Sequence, residues 1–141
     1  MAEALFQLGQ KALIVNEKGE VLVVGQEALS RPGHIWYDLP GGRVDEGETD
    51  LGKALARELY EELQVEAETH ELLTLSLAPK HSKRKYDIIL AVHHCTIVKG
   101  TPTPSAEITD VKWVTFEELY SMPDSRYSKE IVEEFKRQLD V

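Results

Sequence analysis

The chain has 141 residues, a formal net charge of −9, 42% hydrophobic and 29% charged side chains, which suits one water-soluble domain with a single core. The acidic surplus argues against binding nucleic acid or an anionic membrane through a global basic field. No apolar run approaches the eighteen residues of a membrane helix, and the lone Cys95 excludes an internal disulfide and fits a reducing, cytoplasmic compartment.

In chain order, the first ten residues carry Glu3 and no Lys or Arg, so no secretory signal is expected. Residues 12–16 and 21–26 are apolar runs around the turn-forming Asn16-Glu17-Lys18-Gly19, which predicts a β-hairpin. Residues 30–34 read as an exposed loop. Residues 35–39 form a short strand that runs into a tight turn at Pro40-Gly41-Gly42, where glycine lets backbone carbonyls approach an ion or a phosphate. Thr49 or Asp50 can cap the next helix. Along it Leu51, Leu55, Leu59 and Leu63 recur every four residues, a stripe that should face the sheet. Residues 71–78 and 86–98 are strand-like, the second rich in β-branched side chains. Between them Lys80, Lys83, Arg84 and Lys85 form a basic loop without an acid. A proline-punctuated loop follows at 99–105, then a strand at 108–114 and a short helix at 115–120. Ser128 can cap a last helix to about Leu139, with Ile131, Val132, Phe135 and Leu139 on its buried side. Strands with helices between them predict an α/β fold, a mixed sheet covered by helices. One domain is expected over residues 1–141, without repeats or linkers.

The chemistry concentrates in Arg57-Glu58-Leu59-Tyr60-Glu61-Glu62. On a helix, residues three or four apart are neighbours about 5–6 Å apart at Cβ. Glu58, Glu61 and Glu62 therefore crowd one patch, and Arg57 is the close cation. Like charges at that spacing cost a few tenths of a kcal/mol per pair, roughly mirroring the gain from opposite pairs. A hard divalent cation would turn that repulsion into attraction.

These residues resemble the Nudix hydrolase box: Gly, five residues, Glu, seven residues, then Arg-Glu-apolar-x-Glu-Glu-x-Gly-apolar. Gly42 and Glu48 match its first half; Arg57, Glu58, Leu59, Glu61, Glu62 and Val65 match its second. Eight residues rather than seven separate Glu48 from Arg57, and Gln64 stands where the family has Gly. The resemblance implies an α/β/α sandwich and a Mg²⁺- or Mn²⁺-dependent hydrolase cleaving a nucleoside diphosphate linked to another group. The bound ion would neutralise phosphate oxygens, polarise phosphorus and acidify the attacking water. Glu58 and Glu62 are the first-choice ligands, with Glu61 and the carbonyl of Gly41 or Gly42 behind them. Arg57 and Glu48 would orient the carboxylates. Glu58, Glu61 and Glu107, the last in the loop before 108–114, are alternatives for the general base.

Outside the box, Lys83, Arg84 and Lys85 are candidates for holding substrate phosphates, against the blander reading of a solvated hairpin tip. Arg43 beside the glycine turn is a further substrate contact. Tyr37 and Trp36 are alternatives for stacking on a base, and one of the two should point into the core; core packing is the favoured reading for Trp36 and Trp113, which leaves Tyr37 as the substrate candidate. His93-His94-Cys95 sits in a strand, where neighbours diverge, and does not read as a zinc site. The expected partner is a small phosphorylated metabolite of nucleotide type, with no nucleic acid and no membrane, and the resemblance admits a homodimer. The rival readings are a non-catalytic Nudix-like nucleotide sensor and an isomerase that leaves the diphosphate intact.

Overall fold

The computed structural model describes residues 3–78 and 86–141. The elements run β1 (Phe6–Leu13), β2 (Val21–Glu27), β3 (Ile35–Asp38), β4 (Gly41–Arg43), α1 (Leu51–Leu63) and β5 (Glu66–Ala78). They continue with β6 (Asp87–Lys99), β7 (Asp110–Val114), α2 (Phe116–Ser121) and α3 (Lys129–Leu139).

Two sheets result, one in the order β4-β1-β6-β5 and one in the order β3-β2-β7. The first is mixed: β1 runs parallel to β6, while β4 and β5 run antiparallel to their neighbours. The hairpin expected from residues 12–26 is confined to its turn. β1 and β2 part into different sheets; beside the turn they share the Val15↔Val21 bridge, the Asn16 N–H to Glu20 carbonyl bond at 2.9 Å and the Leu22 N–H to Ile14 carbonyl bond at 3.0 Å. The physical reason is a better partner: every residue of β1, from Phe6 to Leu13, is in register with β6. The glycines also differ from expectation. Gly41–Arg43 is a short strand zipped against Gly9–Lys11, so the turn itself is confined to Leu39-Pro40.

Strand alternation feeds two cores. Leu13 joins Leu73, Leu90, Leu119, Val132 and Phe135 in one, under α2 and α3. Ala12 and Ile14 join Leu22, Leu55, Leu59 and Leu63 in the other, under α1. Helices thus lie to both sides of the sheets. The α1 stripe is buried from Leu55 onward, and Leu51, in the first turn, is 41% exposed. Each fully buried leucine contributes on the order of 2 kcal/mol. Leu59→Ala should therefore cost about 2–5 kcal/mol in denaturant unfolding.

The caps are local. The Asp50 side chain accepts from the Lys53 N–H at 3.0 Å, Thr115 makes a capping box with Glu118, and Ser128 caps α3. At the other end of α1, Gln64 adopts φ 59°, ψ 33°. That left-handed turn is what glycine supplies at a helix exit, and an L side chain there is strained by about 1–2 kcal/mol. Gln64 is exposed. Gln64→Gly is expected to raise stability by about 0.5–1 kcal/mol, net of the entropy glycine loses, read as a higher denaturation midpoint with an unchanged m-value. Among the described residues no helix is long and apolar enough to cross a membrane.

Candidate active site

The site grows from the contact between α1 and β4. Gly41 has φ +144°, and a Cβ there would lie 2.0 Å from the Gln10 carbonyl oxygen, so no other residue fits. Its N–H donates to Glu62 Oε1 at 2.8 Å. Glu62 is only 6% exposed. Burial pushes its carboxyl up to about 7; the Gly41 N–H and Lys11 pull the other way, while Glu58 and Glu107 add to the rise. One turn back, Glu58 lies against Gly42, where a Cβ would come within 2.6 Å of its carboxyl carbon. Burial raises the Glu58 pKa too, against the pull of Arg57. Gly42→Ala should therefore leave the fold intact, because a flexible carboxyl end can swing aside, yet displace Glu58 and lower turnover by about 100-fold. Melting and kinetics on the same preparation check both halves.

Arg57 gathers the remaining acids. Its Nη1 donates to both oxygens of Glu61 at 3.0 and 3.1 Å. Its Nη2 donates to Glu48 at 3.0 Å and to Glu58 at 3.3 Å, with Asp45 at 3.7 Å. These acids hold the guanidinium charged, the Glu61 bond first among them. Glu48 also accepts the Asp45 N–H at 2.9 Å, and that bond and Arg57 hold its pKa below the ordinary value. Glu48 and Arg57 thus meet with eight residues between them.

The proline-punctuated loop folds back on the end of α1. The Ser105 N–H donates to the Glu62 carbonyl at 3.1 Å and the Thr103 N–H to the Leu63 carbonyl at 2.9 Å. Carbonyls that a helix end leaves unpaired are satisfied this way. The same loop carries exposed Glu107 close enough to Glu62 to act on its charge.

A cleft of about 190 Å³ opens between the sheets beside Gly41, Gly42 and Glu62. Arg43 lines it, and so does Trp36. Tyr37, expected at the substrate, faces the other side of β3: its hydroxyl donates to Asp110 at 2.6 Å and Lys112 sits 3.9 Å over its ring. That bond raises the Tyr37 pKa to about 12. Alternation says that the two aromatics diverge; it does not say which way each goes. Trp113 packs against the α1 core. Lys83, Arg84 and Lys85 lie outside the described residues.

Sequence reasoning missed three residues of this cleft: Lys11, Asp38 and Arg126. Asp38 is 6% exposed and accepts the Tyr127 hydroxyl at 2.6 Å and the Leu39 N–H at 2.7 Å, both on Oδ1. Lys11 and Arg126 flank its Oδ2. The available signal was a lone acid inside the run Ile35-Trp36-Tyr37-Asp38-Leu39.

Among the described residues no three His, Cys, Asp or Glu side chains converge as a complete metal cage. That includes His93-His94-Cys95, where His94 pairs with Glu71 at 3.1 Å and burial pushes the Cys95 thiol up to about 11. It also includes the box, where Glu61 is turned to Arg57. What Glu58 and Glu62 offer is two hard carboxylates, both with raised pKa, against a glycine backbone. That donor chemistry suits Mg²⁺ or Mn²⁺ completed by solvent and substrate oxygens.

A carboxylate-bearing helix clamped by arginine against a glycine strand defines the class, and comparison with known proteins agrees. The NUDIX domain family model matches residues 5–135. The chain belongs to the Nudix family. It is 31% identical over 137 residues to Nudix hydrolase 5 of Arabidopsis thaliana, covering 94% of this chain and 43% of that protein. It is 30% identical over 115 residues to a MutT-like protein of Streptomyces ambofaciens, covering 82% and 68%. The crystal structure of a MutT protein from Methanosarcina mazei Go1 superposes with a TM-score of 0.78 at 27% identity, over 100% of both chains. The chain spans less than half the length of the Arabidopsis relatives it matches.

Proposed function

We propose that this chain acts as a single-domain, cytoplasmic, metal-dependent pyrophosphohydrolase. Its substrate is a small phosphorylated metabolite in which a nucleoside diphosphate is linked to another group. The observation that carries the reading is the seating of Glu58 and Glu62 on one helical turn against Gly41 and Gly42, with Arg57 bracing Glu48, Glu58 and Glu61 from outside. Glu58, Glu62 and the Gly41 carbonyl would hold Mg²⁺ or Mn²⁺. Bound there, the ion supplies charge neutralisation for the diphosphate and a lower pKa for the attacking water.

The chain's own residues do the rest. Gly41 and Gly42, lacking a Cβ, let β4 close on the Gln10 backbone and on the Glu58 carboxyl, which keeps the carboxylates against the backbone that a phosphate chain would meet. Glu61 is committed to Arg57, which leaves Glu58 and exposed Glu107 as the groups able to take the proton from water. Attack on phosphorus breaks one P–O anhydride bond, and the leaving phosphate departs with its electron pair. Arg43 at the cleft mouth can meet the leaving or retained phosphate.

The test is a panel of nucleoside triphosphates, nucleotide sugars, ADP-ribose and dinucleoside polyphosphates with Mg²⁺ and product identification. Glu58→Gln and Glu62→Gln are the controls. Wild-type turnover that vanishes in both variants supports the reading. Tight binding with no turnover by wild type would make the chain a nucleotide sensor, and a product with its diphosphate intact would make it an isomerase.

A further inference from the structure

Asp38 lies in the cleft wall, and its two oxygens differ. Oδ1 is engaged twice, by the Leu39 N–H and the Tyr127 hydroxyl. Oδ2 is buried and accepts no hydrogen bond, although Lys11 Nζ stands 3.3 Å and Arg126 Nε 3.6 Å away. The two cations balance its charge without donating along a lone pair. The ion pairs offset the burial of the charge, and a lone pair is left that can accept one more donor. A ligand in the cleft can supply that donor.

The rest of the wall narrows the choice of ligand. Val24, Ile88, Leu90 and the Trp36 ring supply apolar surface, while Gln26, Arg43, Glu62 and Arg126 make the remainder polar. Arg126 lies 4.9 Å over the Trp36 ring and closes that side from the connection between α2 and α3. At about 190 Å³ the slot has room for one planar ring system and little more. It opens beside Gly41, Gly42 and Glu62, so a ring seated here can carry its phosphates to the carboxylates. Apolar surface for the ring faces together with polar groups that reach the ring edge is how a nucleobase is held.

The polar pair has a definite sense. An ammonium only donates, and an ionised carboxylate only accepts. Lys11 and Asp38 together call for an acceptor beside an N–H. Lactam bases present a carbonyl oxygen next to a ring N–H. Amino-substituted bases present a ring nitrogen next to an NH₂. A compact, strongly hydrated ammonium is better served by a carbonyl oxygen with two accessible lone pairs than by a ring nitrogen with one. We propose that Asp38 and Lys11 select the base of the substrate, favouring nucleotides with a lactam edge (guanine, hypoxanthine, uracil or thymine) over adenine and cytosine. This rests on the nucleotide-hydrolase reading above and names its substrate class.

The experiment measures kcat/KM for GTP, UTP, ATP and CTP with Mg²⁺, and separately the binding of the same four to Glu58→Gln by tryptophan fluorescence, Trp36 being in the cleft. GTP and UTP should exceed ATP and CTP by roughly tenfold to a hundredfold, the discrimination a paired base edge gives. Asp38→Asn keeps Oδ1 and replaces the Oδ2 acceptor with a donor, so the preference should collapse or invert while the melting curve stays cooperative. Lys11→Met is the second variant, should Asp38→Asn fold poorly, and should erase the preference without inverting it. A preference for ATP or CTP, no ranking among the four, or full lactam preference in both folded variants would overturn the proposal. Turnover without base ranking sinks this inference and leaves the hydrolase reading. Base-selective binding without turnover in wild type does the reverse.

Discussion

Glu62→Gln is expected to melt roughly 5–10 °C above wild type in metal-free buffer at pH 8, and to lose Mg²⁺-dependent turnover. The wild-type carboxyl is almost wholly buried, and burial pushes its pKa from the ordinary 4.5 up to about 7. At pH 8 the folded state therefore carries a charge that burial disfavours, a cost of about 3 kcal/mol. The sign follows from linkage. A carboxyl raised by folding contributes stability that is full below its unfolded pKa and is lost as pH rises through about 7. Wild type should thus lose stability between about pH 4.5 and 7, and Glu62→Gln should lack that part of the slope. Gln retains an oxygen to accept the Gly41 N–H. Saturating Mg²⁺ should restore wild type by mass action and leave the variant unmoved. Equal melting points at pH 8 without metal would mean that Glu62 carries no stored cost and that the carboxylate site is not poised for a cation.

The parts of this picture legible in the sequence share a physical cause: they are local. The four-residue leucine period, the caps at Asp50 and Ser128, and the neighbourhood of Glu58 and Glu62 each arise within a single helix. The αL exit at Gln64 likewise belongs to the position, whatever residue stands there. What the sequence hid is non-local. Residues 12–26 carry good hairpin chemistry, but the turn does not know that residues 87–94 offer β1 a full-length parallel partner. Of Trp36 and Tyr37 it is the favoured core residue, Trp36, that lines the cleft, since alternation separates neighbours without naming the side each will meet. Asp38 is the same lesson in polar form. Its partners Lys11 and Tyr127 come from opposite ends of the chain, so no window of sequence contains the cleft.

Arg57→Lys is expected to lower kcat by about 100-fold, the scale of a carboxylate misplaced by about 1 Å, with the melting point almost unchanged. The geometry needs two nitrogens that face different ways: Nη1 holds both oxygens of Glu61, and Nη2 holds Glu48 and Glu58. A lysine brings one nitrogen on a flexible stem and can serve one side of that set. Stability should barely move because the Arg57 side chain is 37% exposed, and ion pairs at such a rim contribute about 0–1 kcal/mol. The two readouts separate positioning from scaffolding. Freed from Arg57, Glu58 is no longer held in one direction, so half-saturation should need more Mg²⁺ while KM for substrate at saturating Mg²⁺ changes little. Glu61→Gln removes one side of the clamp only and should sit between wild type and Arg57→Lys. A lysine variant with wild-type kcat and an unaltered Mg²⁺ requirement would show that the guanidinium merely decorates the helix, and that Glu58 is held by its packing against Gly42 alone.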